Sequence, residues 1–500
     1  MSLGKDIFRG FLWNHTGRIV EYALMYAFSV LVARELGAEQ NGTYVTIYTL
    51  GQFLLLVSGL GFETALTRSI AQFSKPGDTP RLRYVFRTLL RWRFIAIIIA
   101  GLLFYVFRAQ ILGFVTFSDA ASRYFILILL YAGLKSFIPL FLSVFVAQFN
   151  TRIASLISVS ARVLELAAAF YFLSHGYGIE SVLLVILGGA LYMLVGCLIF
   201  ARQNYMGESE QHDTRPIIAL GATFWLNTIM AYVLEKQGDI LLLNTLLGDR
   251  KQVGYYDVAY GLMQVVIYGF TIGFSGISLA VFSRAAASDP RSVGLLWKFS
   301  AKVIVLLVLP PLIFLAAHAD LLIPTIYSAE YASSIRLFQL LVLFQITARL
   351  FGSGINADLM LAVNKTKLLV GFGVLAGLIN IVLDLFLIPQ YRAYGAVIAT
   401  GIANTSVMIM SAAYIMKRFT VSVSVSFWLK TVAISVASAY VGRFFYQPET
   451  VIGIFLSGLM YLTAWLVLAF VLKLFAREDI EFLRRLNLQL SEWATYFALT

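Results

Sequence analysis

Two cations set deep in apolar stretches carry most of the chemistry this sequence offers. Arg349 stands among Leu341, Val342, Leu343, Phe344, Ile346, Leu350 and Phe351. Lys135 stands among Leu129, Leu130, Tyr131, Leu134, Phe137 and Ile138. Each lies fifteen residues before an asparagine, Asn364 and Asn150 respectively. At about 1.5 Å per residue, that is ~22 Å along a helix. A cation at membrane depth is costly, and it persists where it faces a protein interior or a wet cavity. Arginine grips phosphate through a planar fork and lysine supplies a compact point charge. The matched pair therefore suits an anion such as a phosphate or pyrophosphate.

Other charged residues join them. Arg18 shares a helix face with Glu21, three residues on, and adds a third substrate-binding cation. In Glu235-Lys236-Gln237-Gly238-Asp239, two carboxylates lie i,i+4 with Lys236 adjacent. That grouping suits ion coupling, by proton or sodium, or gating. Arg162 and Glu165 form a further i,i+3 pair, read as structural. Pro139, one turn after Lys135, and Pro310-Pro311 mark places where helices should bend or break.

The absences are informative too. There is no GxxxxGKS or GxxxxGKT loop, so no built-in ATPase is expected. HExxH and CxxC are missing as well, and Cys197 is the single cysteine. No catalytic residue, metal or cofactor is expected, and the chain reads as a non-enzyme.

These residues need elements that hold them inside a bilayer. The 500-residue chain is 60% hydrophobic and 13% charged, about half the charged share of a soluble protein. Its mean hydropathy is +0.83. Apolar runs recur that are long enough to cross about 30 Å of hydrocarbon. About fourteen spans are predicted, near 9–33, 40–70, 88–108, 121–147, 152–174, 180–201, 216–247, 253–283, 296–318, 334–361, 367–389, 394–417, 424–445 and 450–474. With the N-terminus in the cytosol, 25 lysines and arginines fall on the cytoplasmic side and 8 on the other. By the positive-inside rule both termini are cytoplasmic. The net charge of +12 is explained by this asymmetry, and no nucleic-acid partner is expected. Residues 476–500 carry Ile480, Leu483, Leu486, Leu490, Trp493 and Phe497 at helical spacing, as expected of an amphipathic tail on the cytoplasmic leaflet.

The chain also repeats itself. Leu36-Gly37 through Gly42-Thr43-Tyr44 matches Leu247-Gly248 through Gly254-Tyr255 with one insertion. Asp78-Thr79-Pro80-Arg81 matches Ser288-Asp289-Pro290-Arg291, and Gly176-Tyr177-Gly178 corresponds to the stretch Gln390–Gly395. A repeat of six spans keeps both copies in one orientation, related by an axis along the membrane normal. The expected organisation is an all-α polytopic membrane protein. It has an N-lobe at 1–202 (spans 1–6), a C-lobe at 203–418 (spans 7–12), two extra helices at 419–475, and the tail.

The chain resembles the multidrug/oligosaccharidyl-lipid/polysaccharide flippase superfamily, and within it the polysaccharide-transporter branch. The resemblance rests on Gly59-Leu60-Gly61-Phe62 with Ala65-Leu66-Thr67-Arg68, and on Asp239 through Gly248 with Gly254-Tyr255-Tyr256. Its most specific stretch is Asn380-Ile381-Val382-Leu383-Asp384, followed by Ile388-Pro389, Gly395-Ala396-Val397 and Ala399-Thr400. The resemblance implies a two-lobed flippase in the cytoplasmic membrane, working by alternating access. Its substrate would be an isoprenoid-diphosphate-linked saccharide, carried from the cytoplasmic to the outer leaflet. The implied partners are that lipid-linked saccharide, the membrane lipids and polysaccharide-assembly proteins, with the chain acting as a monomer. The rival readings are a cation-coupled multidrug exporter of the same fold and a membrane-embedded polysaccharide polymerase or ligase.

Overall fold

The computed structural model describes residues 3–70, 79–115, 122–148, 150–234, 236–272, 274–288, 292–445 and 451–475. Every regular element among them is helical. The predicted tail at 476–500 lies outside the described residues, as do Glu235 and the repeat match around Asp289.

Among the described residues, ten helices are long and apolar enough to cross a membrane, the first being Thr79–Val106 and the last Gly453–Val471. The chain is a multi-pass membrane protein. The four expected spans outside that set are the first, second, seventh and eighth. They are helical where described and carry more polar side chains. Leu3–Gly59 is one hydrogen-bonded run broken in direction at Gly37, where φ is 72° and ψ 173°. The expected seventh span comprises Arg215–Leu234 and Lys236–Leu247, on either side of Glu235, and the eighth breaks at Ile272 (φ −57°, ψ 127°) between Arg250–Thr271 and Phe274–Ser288.

Further breaks follow the two matched cations. Lys135 is the last residue of Ser122–Lys135, and Ile138–Ala147 begins with Pro139 in its first turn. Arg349 is in the last turn of Ser333–Leu350. Gly352 and Ser353, at φ 108° and 79°, separate it from Ile355–Ala362. Pro310 and Pro311 do not interrupt their helix. Val293–Ala317 runs through both, and the Pro310 carbonyl accepts a 2.9 Å hydrogen bond from Tyr461 Oη. This bond ties the helix to Val451–Val471 beside the prolines, whose missing N–H groups leave the carbonyls of Leu306 and Leu307 without their helical donors.

The chain divides into two compact units. The first comprises Met1–Ile272, Ile323–Leu341 and Val370–Asn404, and the second Gly273–Leu322, Val342–Leu369 and Thr405–Thr500. In the first, the Leu3–Gly59 helix packs along Thr151–Ser174 and Arg250–Thr271. Glycines matched in the sequence meet in this contact. Gly37 and Gly248, matched in sequence, both take positive φ, 72° and 63°. A Cβ on Gly42 would run into the Arg250 carbonyl, and one on Gly254 into the Ala38 carbonyl. Matched glycines thus let the two helices approach backbone to backbone.

Arginines of Thr79–Val106 hold the polar connection after residue 201. Arg83 Nε donates to Gln203 O (2.9 Å), Arg87 Nη2 to Gly207 O (2.7 Å), and Arg81 pairs with Glu210 at 2.7 Å. Arg93, counted among the connection cations, is instead 2% exposed within this helix and paired with Glu63. Removing it leaves 24 connection cations against 8, and the predicted topology is unaffected. In the second unit, Val425–Phe445 packs on both Val293–Ala317 and Val451–Val471. Leu309, Ile313, Phe427 and Ile434 are core residues there.

Candidate functional site: a polar cavity and a buried carboxylate cluster

A cavity of about 360 Å³ lies within the first unit, inside the range of ~300–1,000 Å³ usual for ligand pockets. One wall comes from the first helix, including Met25, Asn41, Tyr44, Tyr48 and Gln52, with Tyr131, Arg162 and Glu165. The facing wall carries Lys236, Gln237, Asp257 and Gln264. The spans short of full apolarity therefore supply much of this lining, because their polar side chains face the cavity.

Its charges are paired. Arg162 Nη1 donates to Glu165 Oε2 at 2.5 Å, and its Nε lies 3.8 Å from Glu21 Oε1. Lys236 forms an ion pair with Asp257, and Asn41 Nδ2 approaches the same carboxylate at 3.5 Å. Two cations and two acids thus line the space. Between them runs a row of aromatic rings, with Tyr44 stacked on Tyr48 at 6.0 Å and Tyr48 5.9 Å from Tyr131. Flat ring faces beside amide and hydroxyl groups provide both stacking surface and directed hydrogen bonding.

A second polar group is closed off from this space. Asp239 and Asp384 are both 0% exposed. Tyr256 Oη and Thr400 Oγ1 donate to Asp239 Oδ2, the latter at 2.6 Å. Asn380 Nδ2 reaches Asp239 Oδ1 at 3.3 Å and Asp384 Oδ2 at 2.5 Å. Asn380 Oδ1 and Asp384 Oδ1 are buried and accept no hydrogen bond among the described residues. Two adjoining buried carboxylates, with Asp384 Oδ1 and the Asn380 amide oxygen unused, call for a proton or a small hard cation. The most specific sequence stretch, Asn380 to Asp384 with Thr400, thus meets Asp239 in space.

The residues singled out from sequence are placed as follows. Lys236 lines the cavity, whereas Asp239, three residues on, is in the closed cluster. Glu21 faces Arg162 rather than serving only its helical neighbour Arg18, which is exposed. Lys135 is half-buried beside the cavity, within the electrostatic reach of Arg162, Glu165 and Glu21. Arg349 belongs to the second unit, is 7% exposed and donates to Ser353 Oγ. Glu235 is outside the described residues. Sequence reasoning passed over the cavity roles of Arg162, Asp257 and the three tyrosines. A charged pair in mid-span was the available signal for Arg162, and Asp257 was visible only as an in-span acid.

Residues 7–273, more than half of the chain, match the family model described as polysaccharide biosynthesis protein. The chain belongs to that family. No protein of curated function matches the sequence. Among solved structures, a lipid II flippase MurJ in an inward closed conformation aligns with a TM-score of 0.70 at 17% identity. That alignment covers 92% of this chain and 98% of the other. An inward-facing multidrug resistance MATE family transporter aligns at 0.61 and 14% identity, covering 80% and 94%. A transporter of the same superfamily from Pyrococcus furiosus aligns at 0.53 and 14%, covering 83% and 96%. At these identities the likeness is one of fold.

Proposed function

We propose that this family member is an exporter that flips an isoprenoid-diphosphate-linked saccharide from the cytoplasmic to the outer leaflet by alternating access. The supporting observation is the cavity. It carries cations for phosphate and a tyrosine and amide surface for sugar, and its walls come from both sides of the sequence repeat. Diphosphate would be held by Arg162 and Lys236, with Arg18 and Lys135 along its path and Arg349 as the matched cation of the second copy. The lipid tail stays in the bilayer while the lobes at 1–202 and 203–418 rock. The protein works as a monomer in the cytoplasmic membrane, with both termini in the cytosol and polysaccharide-assembly proteins receiving its product. No bond is made or broken.

Resetting would be coupled to a proton or sodium ion at Asp239 and Asp384, with Glu21, Glu235 and Lys236 gating. That cluster also favours a second reading, a cation-coupled drug exporter of the same fold. Lipid-linked saccharide reaching the outer leaflet decides between them. Replacing Arg162, Lys135 or Arg349 by alanine should each reduce export per molecule of protein present in the membrane. Normal export by all three would discard the phosphate assignment.

A further inference from the structure

Arg349 lines a small crevice in the second unit, together with Trp297, Lys298, Lys302, Ser424 and Phe427. Its Nη1 is used by Ser353, but its Nε is buried with no hydrogen-bond partner among the described residues. Ser424 Oγ is buried and unpartnered in the same way. The indole nitrogens of the two lining tryptophans are already committed, Trp297 to Asn356 Oδ1 at 2.7 Å and Trp428 to Ile346 O at 2.9 Å. Lys302 Nζ stands 5.1 Å from the Phe427 ring centre. No carboxylate is among the lining residues.

Three positive charges and two idle buried donors, in a lining that contributes no carboxylate, are the complement of an oxyanion. Ser424 directly precedes the helix Val425–Phe445, whose N-terminal end adds to the attraction. Size then narrows the ligand. The interior is about 20 Å³, enough for one oxygen-sized group. A sugar cannot enter, whereas a phosphate can seat one oxygen and leave the rest at the mouth. Val425 and Leu429, 45% and 54% exposed, continue from Ser424 as apolar surface for a lipid chain.

We propose that this crevice binds the phosphate of a membrane-lipid headgroup. One phosphate oxygen takes the idle Arg349 and Ser424 donors, and Lys298 and Lys302 meet the remaining charge. This deepens the phosphate-binding reading of Arg349, and it holds whether or not the cargo is a saccharide.

The test is native mass spectrometry of the purified full chain in neutral detergent, titrated with farnesyl diphosphate, phosphatidylglycerol, phosphatidylcholine and inorganic phosphate. One anionic lipid per chain should bind in preference to phosphatidylcholine. K298Q/K302Q should weaken it roughly tenfold or more, the loss of charge-assisted contacts. S424A should weaken it severalfold. These partly exposed lysines carry the test because R349Q risks unfolding. Preference for farnesyl diphosphate assigns the site to the cargo's diphosphate, and preference for phosphatidylglycerol to a resident lipid. Either supports the site. Unchanged affinity in K298Q/K302Q, or retention of inorganic phosphate alone, overturns it. Export by R162A, measured alongside, reports on the cavity separately.

Discussion

Glu165 is 4% exposed and packs against Gly189, and the Arg162 guanidinium is its partner at 2.5 Å. Breaking a buried pair from one side leaves a stranded charge, which costs about 3–5 kcal/mol. R162A should therefore lower the melting temperature of the purified protein. R162A/E165Q should recover much of that loss without recovering export, and recovery of both would make the pair purely structural. Asp239 makes a different prediction. D239N keeps the shape and removes a charge, so export should lose its dependence on a sodium or proton gradient, as measured in membrane vesicles. Unaltered dependence would free the cluster of a coupling role. The sequence showed these groups unequally. Lys135 and Arg349 stood out because their surroundings are uniformly apolar. Arg162 did not, since an i,i+3 pair looks the same whether it braces a helix or lines a cavity. Only the arrival of Glu21 and the tyrosines from other helices distinguishes the two. The recurrence of Lys135 and Arg349 also has a local cause, because both end a helix segment, where a cation complements the dipole.

At the scale of elements, the approach of the first helix to Arg250–Thr271 depends on matched glycines. G42L or G254L would push a side chain into a carbonyl, and overpacking of this kind costs about 1–3 kcal/mol or more. Each should lower thermal stability and export, and G254L should resemble G42L because the contact is reciprocal. A stable, active G42L would show that the helices separate freely. The repeat was legible because turn glycines at Gly37 and Gly248 punctuate it. Helix continuity was less so. Hydropathy averages over a window, so it saw neither the break after Arg349 nor the persistence of Val293–Ala317 through Pro310 and Pro311. Those outcomes depend on packing with elements distant in sequence, such as the helix of Tyr461, 151 residues from Pro310.

At the scale of the molecule, charge asymmetry predicts both termini in the cytosol. Cys197, the single cysteine, is fully buried, so a C197A background is suited to labelling. In intact cells, K251C should react with an impermeant thiol reagent, and R418C should react only after permeabilisation. The reverse pattern would invert the protein in its membrane. Fold class could be read without coordinates because it rests on composition and punctuation. The cavity could not, because its lining is assembled from segments more than 200 residues apart.

The balance of two acids against two bases in the cavity has an electrical consequence. An unloaded carrier whose mobile lining is neutral carries almost no charge through the field when it returns. A diphosphate cargo carries at least two negative charges outward, and an inside-negative potential contributes about 2.3 kcal/mol per charge for each 100 mV. On the proposed function, the resting voltage of the cell would itself drive the loaded stroke. Any ion held at Asp239 would then be needed mainly to bring the empty protein home.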